Sequence, residues 1–125
     1  MILPDVNVLI YILRENVPEH RKCFDWFSKI VNGNSAFGMS PQVLSSVIRV
    51  ATHPKVFEEP SELKDLIEFS DSLINHPNCV RIVPGSRHWE IFTRLCVESN
   101  ARGKLVPDAW FAALAIESGC EWITF

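Results

Sequence analysis

A chain of 125 residues with 47% hydrophobic content is long enough for one compact domain with its own core. Its net charge of -3 excludes a general polyanion binder held by bulk positive charge; any nucleic-acid contact needs locally clustered cations or a metal that offsets the acidic groups. No apolar stretch approaches the roughly 20 residues of a bilayer span, and the start has neither the basic segment nor the small-residue cleavage site of a signal peptide.

Met1 runs straight into an apolar run, Ile2-Leu3-Pro4, that breaks off at Asp5, with Asn7 two positions later. Such a run reads as a buried strand that delivers Asp5 to the carboxyl edge of a sheet, where open α/β folds bind ligands. Asp5 reads equally well as a cap on the helix that follows, and both readings stand. The segment from Val8 to Leu13 is expected to be a short helix. Next, Cys23, Phe24, Phe27, Ile30 and Val31 recur at helical spacing, which predicts a helix from Glu19 to Asn32 closed by Gly33. Ala36 to Met39 is a second short strand.

Ser40-Pro41 is a strong helix start, and that helix runs through Val43, Leu44, Val47, Ile48 and Ala51 to stop before Pro54. Pro60-Ser61 opens another, with Leu63, Leu66, Ile67, Leu73 and Ile74 on its inward stripe. Cys79 to Val83 reads as a third strand, and Ser86 as the cap of a helix carrying Trp89, Phe92, Leu95 and Cys96. Pro107-Asp108 opens a helix from Ala109 to Glu117 that Gly119 ends, and Glu121 to Phe125 is the last strand. This alternation predicts an α/β fold, a three-layer α/β/α sandwich with a mostly parallel sheet, as a single domain over residues 1–125. The four cysteines are scattered without C-x-x-C spacing, which suits a reducing cytoplasm better than a disulfide framework.

The residues that invite chemistry are Asp5, after a strand, and Asp108, in the first turn of a helix. Both positions can face one edge of the sheet. Carboxylates within about 4–6 Å of each other cannot both stay charged unless a cation intervenes. Oxygen ligands favour Mg²⁺ or Mn²⁺, which suits hydrolysis of phosphodiesters. Alone, Asp108 is more readily explained by its helix dipole, worth about 0.3–1 kcal/mol. Arg49, Lys55, Arg102 and Lys104 are candidates for phosphate contacts. The histidines show no ligand spacing, the tryptophans favour core packing with Trp110 the best exception, and Glu117 turns away from Asp108 on the same helix.

In context the two carboxylates form part of a longer pattern. Met1 to Ile10, with Asp5 and Asn7, resembles the opening motif of PIN-domain nucleases. Val47 to Phe57 is similar to a segment of one VapC-type toxin subgroup. Arg87-His88-Trp89-Glu90, Leu105 to Ala109 and Ala112 to Glu117 continue the resemblance in order, over essentially the whole chain. The resemblance implies a PIN-like fold and a Mg²⁺- or Mn²⁺-dependent endoribonuclease, the toxin of a toxin–antitoxin pair. It also implies a VapB-type antitoxin partner and a homodimer. Asp5 and Asp108 match catalytic metal carboxylates, and Asn7 a polar neighbour of that site.

Two departures stand out. Ser46 occupies the place where many PIN nucleases carry a Glu, and a hydroxyl supplies no negative charge. The family's acidic run after the last strand would begin about where this sequence ends, so either a last strand and acidic tail follow Phe125 or the protein is truncated there. Both departures keep open a second reading, a PIN-like module that binds RNA or an antitoxin without cutting. A phosphohydrolase with Asp5 as nucleophile is disfavoured, because it needs a second Asp where Asn7 stands.

Overall fold

A computed structural model describes residues 1–125. The opening apolar run forms β1 (Ile2–Pro4), with Leu3 wholly buried, and the chain turns at Asp5 directly into α1 (Val6–Leu13). This helix starts two residues earlier than its apolar pattern suggests, because the Asp5 carboxylate accepts the Val6 amide at 2.6 Å and caps it. After α2 (His20–Val31) comes β2 (Phe37–Met39), every residue of which is buried. Ser40 and Pro41 then start α3 (Pro41–Ala51) as their chemistry requires, the Ser40 hydroxyl accepting the Val43 amide at 3.3 Å.

The remaining elements are α4 (Leu63–Ile74), β3 (Cys79–Arg81), α5 (His88–Ser99), α6 (Leu105–Ser118) and β4 (Glu121–Ile123). Both β3 and β4 are two residues shorter than their apolar runs. Helix α6 opens before Pro107, which sits within its first turn, where a missing backbone N–H costs nothing. It ends at Gly119 with φ +70, a left-handed conformation that glycine adopts without a Cβ penalty.

All strand pairing is parallel. β1 pairs with β4 in the register Pro4 to Ile123, and β2 pairs with β3 in the register Met39 to Arg81. The two pairs adjoin where β1 runs beside β2; a Cβ on Gly38 would sit 3.0 Å from the Ile2 carbonyl oxygen, so only glycine lets these backbones approach. Hydrogen bonding thus makes two two-stranded sheets, and the packing of β1 beside β2 sets the strands in the spatial order β3, β2, β1, β4. Right-handed crossovers then place α1 to α4 on one face, and α5 with α6, which lead back across to β4, on the other. The packing agrees: α1 contacts α2 and α3, α3 contacts α4, and α5 packs chiefly on α6. Leu3, Leu9, Phe37, Met39, Val43 and Leu114 fill the space between. No helix is long and apolar enough to cross a membrane.

Ser61, read with Pro60 as the opening of a helix, and Ser86, read as a cap, both serve otherwise. Ser61 lies outside α4, whose N-cap is Glu62, and its hydroxyl instead accepts from the Arg14 guanidinium at 2.9 Å. Arg14 also donates to the Glu59 carbonyl at 2.8 Å and lies 3.7 Å over the Phe57 ring, so a nearly buried cation ties the end of α1 to the loop before α4. Ser86 likewise leaves α5 uncapped. The oxygens of Glu117 take over, accepting the amides of Gly85 at 2.7 Å and Arg87 at 2.9 Å. This carboxylate from α6 satisfies one amide of the approach to α5 and one at its N-cap, and complements the positive helix end.

Those amides, the Gly85 N–H foremost, hold the Glu117 carboxyl below its ordinary value of 4.5. A depressed carboxyl contributes stability above its unfolded pKa and loses it as pH falls through the folded one. Glu117→Gln is therefore expected to lower the urea midpoint at pH 7, with the gap to the parent protein closing as pH drops below about 4.5. Denaturation curves across pH 3–7 check this (an approximate range).

Candidate active site

Three elements converge at the carboxyl edge of the sheet. The β1–α1 junction carries Asp5 and Asn7, the middle of α3 carries Ser46 and Arg49, and the start of α6 carries Lys104 and Asp108. All six line one cavity of about 240 Å³, whose remaining walls are Val6, Pro107 and Phe111. Asp5 and Asp108, 103 positions apart by numbering, are brought together because β1 and α6 each end or begin at the same rim. Lys55 and Arg102, the other candidate phosphate contacts, do not line it.

Asp5 serves both of its possible roles. It caps α1 and still faces the cavity, half-buried. Burial, the largest cause, pushes its carboxyl above the ordinary 3.8; the Val6 amide and the Thr124 hydroxyl pull it down, and the Asp108 charge pushes it up again. Thr124 is a neighbour that local patterns do not announce. It reaches Asp5 because the register Pro4 to Ile123 aligns the residues that follow, and the Asp5 amide donates to the Ile123 carbonyl at 2.8 Å.

The other polar and aromatic candidates lie elsewhere. His88 is buried, its ring Nε2 2.9 Å from the Trp110 carbonyl oxygen, and His20 bonds the Tyr11 carbonyl. The Nδ1 atoms of His53 and His76 accept turn amides from Lys55 and Asn78. Trp110 packs between His88 and Phe92 and does not line the acidic cavity; Trp89 is the indole left in solvent.

A PIN-domain family model matches residues 2–125. The chain belongs to the PIN-domain family. Among its relatives, the VapC ribonuclease Mb2897 of Mycobacterium bovis and ribonuclease VapC43 of Mycobacterium tuberculosis are 35% identical over 124 residues, covering 99% of this chain and 84% of theirs. Ribonuclease VapC25 of Mycobacterium tuberculosis is 35% identical over the same span, with 87% of its own length covered. The fold is similar to a chain in a crystal structure of VapBC2 from Rickettsia felis bound to a promoter DNA fragment, with a TM-score of 0.64 at 14% identity, covering 99% of this chain and 86% of that one.

Within this PIN domain, no group of three His, Cys, Asp or Glu side chains converges on a metal-binding arrangement. The donors that do converge are two carboxylates, the Asn7 amide and the Ser46 hydroxyl, with Thr124 against Asp5. This all-oxygen set fits Mg²⁺, which commonly takes one or two carboxylates and keeps several waters; it does not fit an ion that demands sulfur or imidazole.

A carboxyl raised by burial costs the folded state stability once pH climbs past 3.8 and through the folded value. Asp5→Asn keeps an N-cap side chain and removes that charge. In EDTA at pH 7 the variant is expected to melt a few degrees above the parent protein, with the difference gone below pH 3.8. Calorimetry at both pH values checks it.

Proposed function

We propose that this PIN-domain chain is an endoribonuclease that hydrolyses RNA phosphodiester bonds as the toxin of a VapBC-type toxin–antitoxin pair. The carrying observation is the meeting of Asp5 and Asp108 in one cavity with Arg49 and Lys104, in a chain about a third identical to VapC ribonucleases. Acidic residues at its centre call for a divalent cation; basic residues at its wall suit a polyanion. Neither feature alone selects RNA hydrolysis, and together with the relatives they do.

In this reading Asp5 and Asp108 hold Mg²⁺ or Mn²⁺, with Asn7 and Ser46 positioned for hydrogen bonds to its waters. When bound, such an ion polarises a phosphoryl oxygen and lowers the pKa of water. Arg49 and Lys104 contact RNA phosphates, which positions the strand without reading its bases. The Thr124 hydroxyl and Val6 amide favour the ionised form of the Asp5 carboxyl against the burial that opposes it. A VapB-type antitoxin is the regulatory partner, the active form is a homodimer, and the site of action is the cytoplasm.

Asp108→Asn is expected to cut RNA at least about a hundredfold more slowly, as expected when a metal-site carboxylate loses its charge, while its circular dichroism and melting stay within ordinary surface-mutation limits. Equal cleavage by the variant and the parent protein would refute the assignment.

A second reading, a PIN module that binds RNA or antitoxin without cutting, is favoured by one observation: Ser46 leaves the cavity a carboxylate short of a three-acid cluster. Ser46→Glu discriminates. If the cavity is a weak metal site, the added carboxylate should tighten Mn²⁺ binding by about tenfold or more in a calorimetric titration. An interaction module gains no such affinity.

A further inference from the structure

Beside the acidic cavity lies a second one of about 260 Å³ between α5 and α6, lined by Leu95, Ser99, Leu105, Asp108, Ala109 and Ala112. Asp108 belongs to both, so the two form a continuous surface: a charged half and an apolar half that share one carboxylate. The apolar half exists because Ala109 and Ala112 end at Cβ where a larger side chain would close the gap to α5. Leu105, at the first position of α6, is 52% exposed and forms its outer wall.

Resting on the ribonuclease reading, we infer that this shelf is a subsite for an unpaired nucleobase flanking the RNA phosphate that Arg49 and Lys104 hold in the acidic cavity. The occupant follows from continuity. A phosphate seated between Arg49 and Lys104 carries its ribose and base outward, and the adjoining wall past Asp108 is aliphatic. Flat bases bury an apolar face readily against such an aliphatic wall, and that contact by itself needs no particular sequence.

The polar edge of the shelf adds a preference. Ser99 donates its hydroxyl proton to the Leu95 carbonyl at 2.7 Å, which leaves its oxygen as an acceptor. Asp108, when ionised, is also acceptor-only. The edge therefore favours bases that present N–H donors, the exocyclic amines of adenine, cytosine or guanine, over the uracil O4 acceptor.

The test uses short single-stranded RNAs with one base at a time removed near the cleaved bond. In the parent protein, removal of the shelf base is expected to weaken binding and kcat/KM by about tenfold, within the worth of a stacked base. Ala112→Phe fills the shelf; it should weaken intact RNA by the same factor and make base removal there inconsequential. Leu105→Ser, at an exposed position where folding is safe, should reproduce half or more of the effect. Binding is read by fluorescence anisotropy in EDTA and cleavage separately with Mn²⁺, so a base-dependent loss of binding with no cleavage in Mn²⁺ supports the shelf and sinks only the ribonuclease reading. Cleavage with equal base dependence in the parent and both variants overturns the shelf alone. So does a change of sedimentation with equal losses for intact and abasic RNA, which makes the face a contact between copies of this chain.

Discussion

The pairing of β1 with β4 is the constraint on which the candidate site depends. These strands come from the two extremes of the sequence, and their parallel register sets Pro4 opposite Ile123. One hydrogen bond, from the Asp5 amide to the Ile123 carbonyl, extends the ladder past the last strand residue. It holds Asp5 at the rim where Thr124 supports its carboxylate and α6 delivers Asp108. A shift of this register by one residue would reverse the faces of β4 and remove Thr124 from Asp5. The strands themselves are short, three residues each, so the helices packed on both faces must do much of the holding.

Charge is arranged around that rim in a way that makes the site costly without a ligand. Asp5 is half-buried, and Asp108 adds repulsion to the desolvation that already raises its carboxyl. Only the Val6 amide and the Thr124 hydroxyl offset these costs within the protein. Arg49 and Lys104 share the cavity wall but make no ion pair with either carboxylate. The acidic pair is thus left without a fixed internal counter-ion, and the two cations without a carboxylate partner, which is the arrangement the proposed metal and phosphate contacts would use. Glu117, on the far side of the same helix, shows the opposite arrangement: its charge is spent on two amides and serves the fold.

Much of the architecture was legible in the residues. Ser40-Pro41 starts a helix as its chemistry dictates, Gly119 ends one, and the apolar periodicity of α3 marks its inner face; the stripes read for α2 and α4 also took in Phe24, Leu63 and Ile67, which lie exposed because an apolar side chain at helical spacing need not meet a neighbour. The misreadings share a cause. Ser61 and Ser86 look like helix starts because a start is a local pattern, yet Arg14 claims the first and Glu117 replaces the second across long stretches of chain. Helix α1 begins early for a related reason: Asp5 caps it, and a cap outranks the position of the first core residue. The shelf between α5 and α6 was invisible in the same sense, since it exists only where Ala109 and Ala112 face a second helix.

From the sequence alone came the alternation of elements, the two acidic positions at their ends, and the family pattern that links them, because propensity, capping and periodicity act over a few residues. Only tertiary structure decided that Asp5, Asn7, Ser46, Arg49, Lys104 and Asp108 share one cavity, that Thr124 supports the first carboxylate, and that an aliphatic shelf adjoins the second. Those are matters of register and helix placement. They depend on contacts between residues as far apart as the chain allows, and no local pattern encodes such a distance.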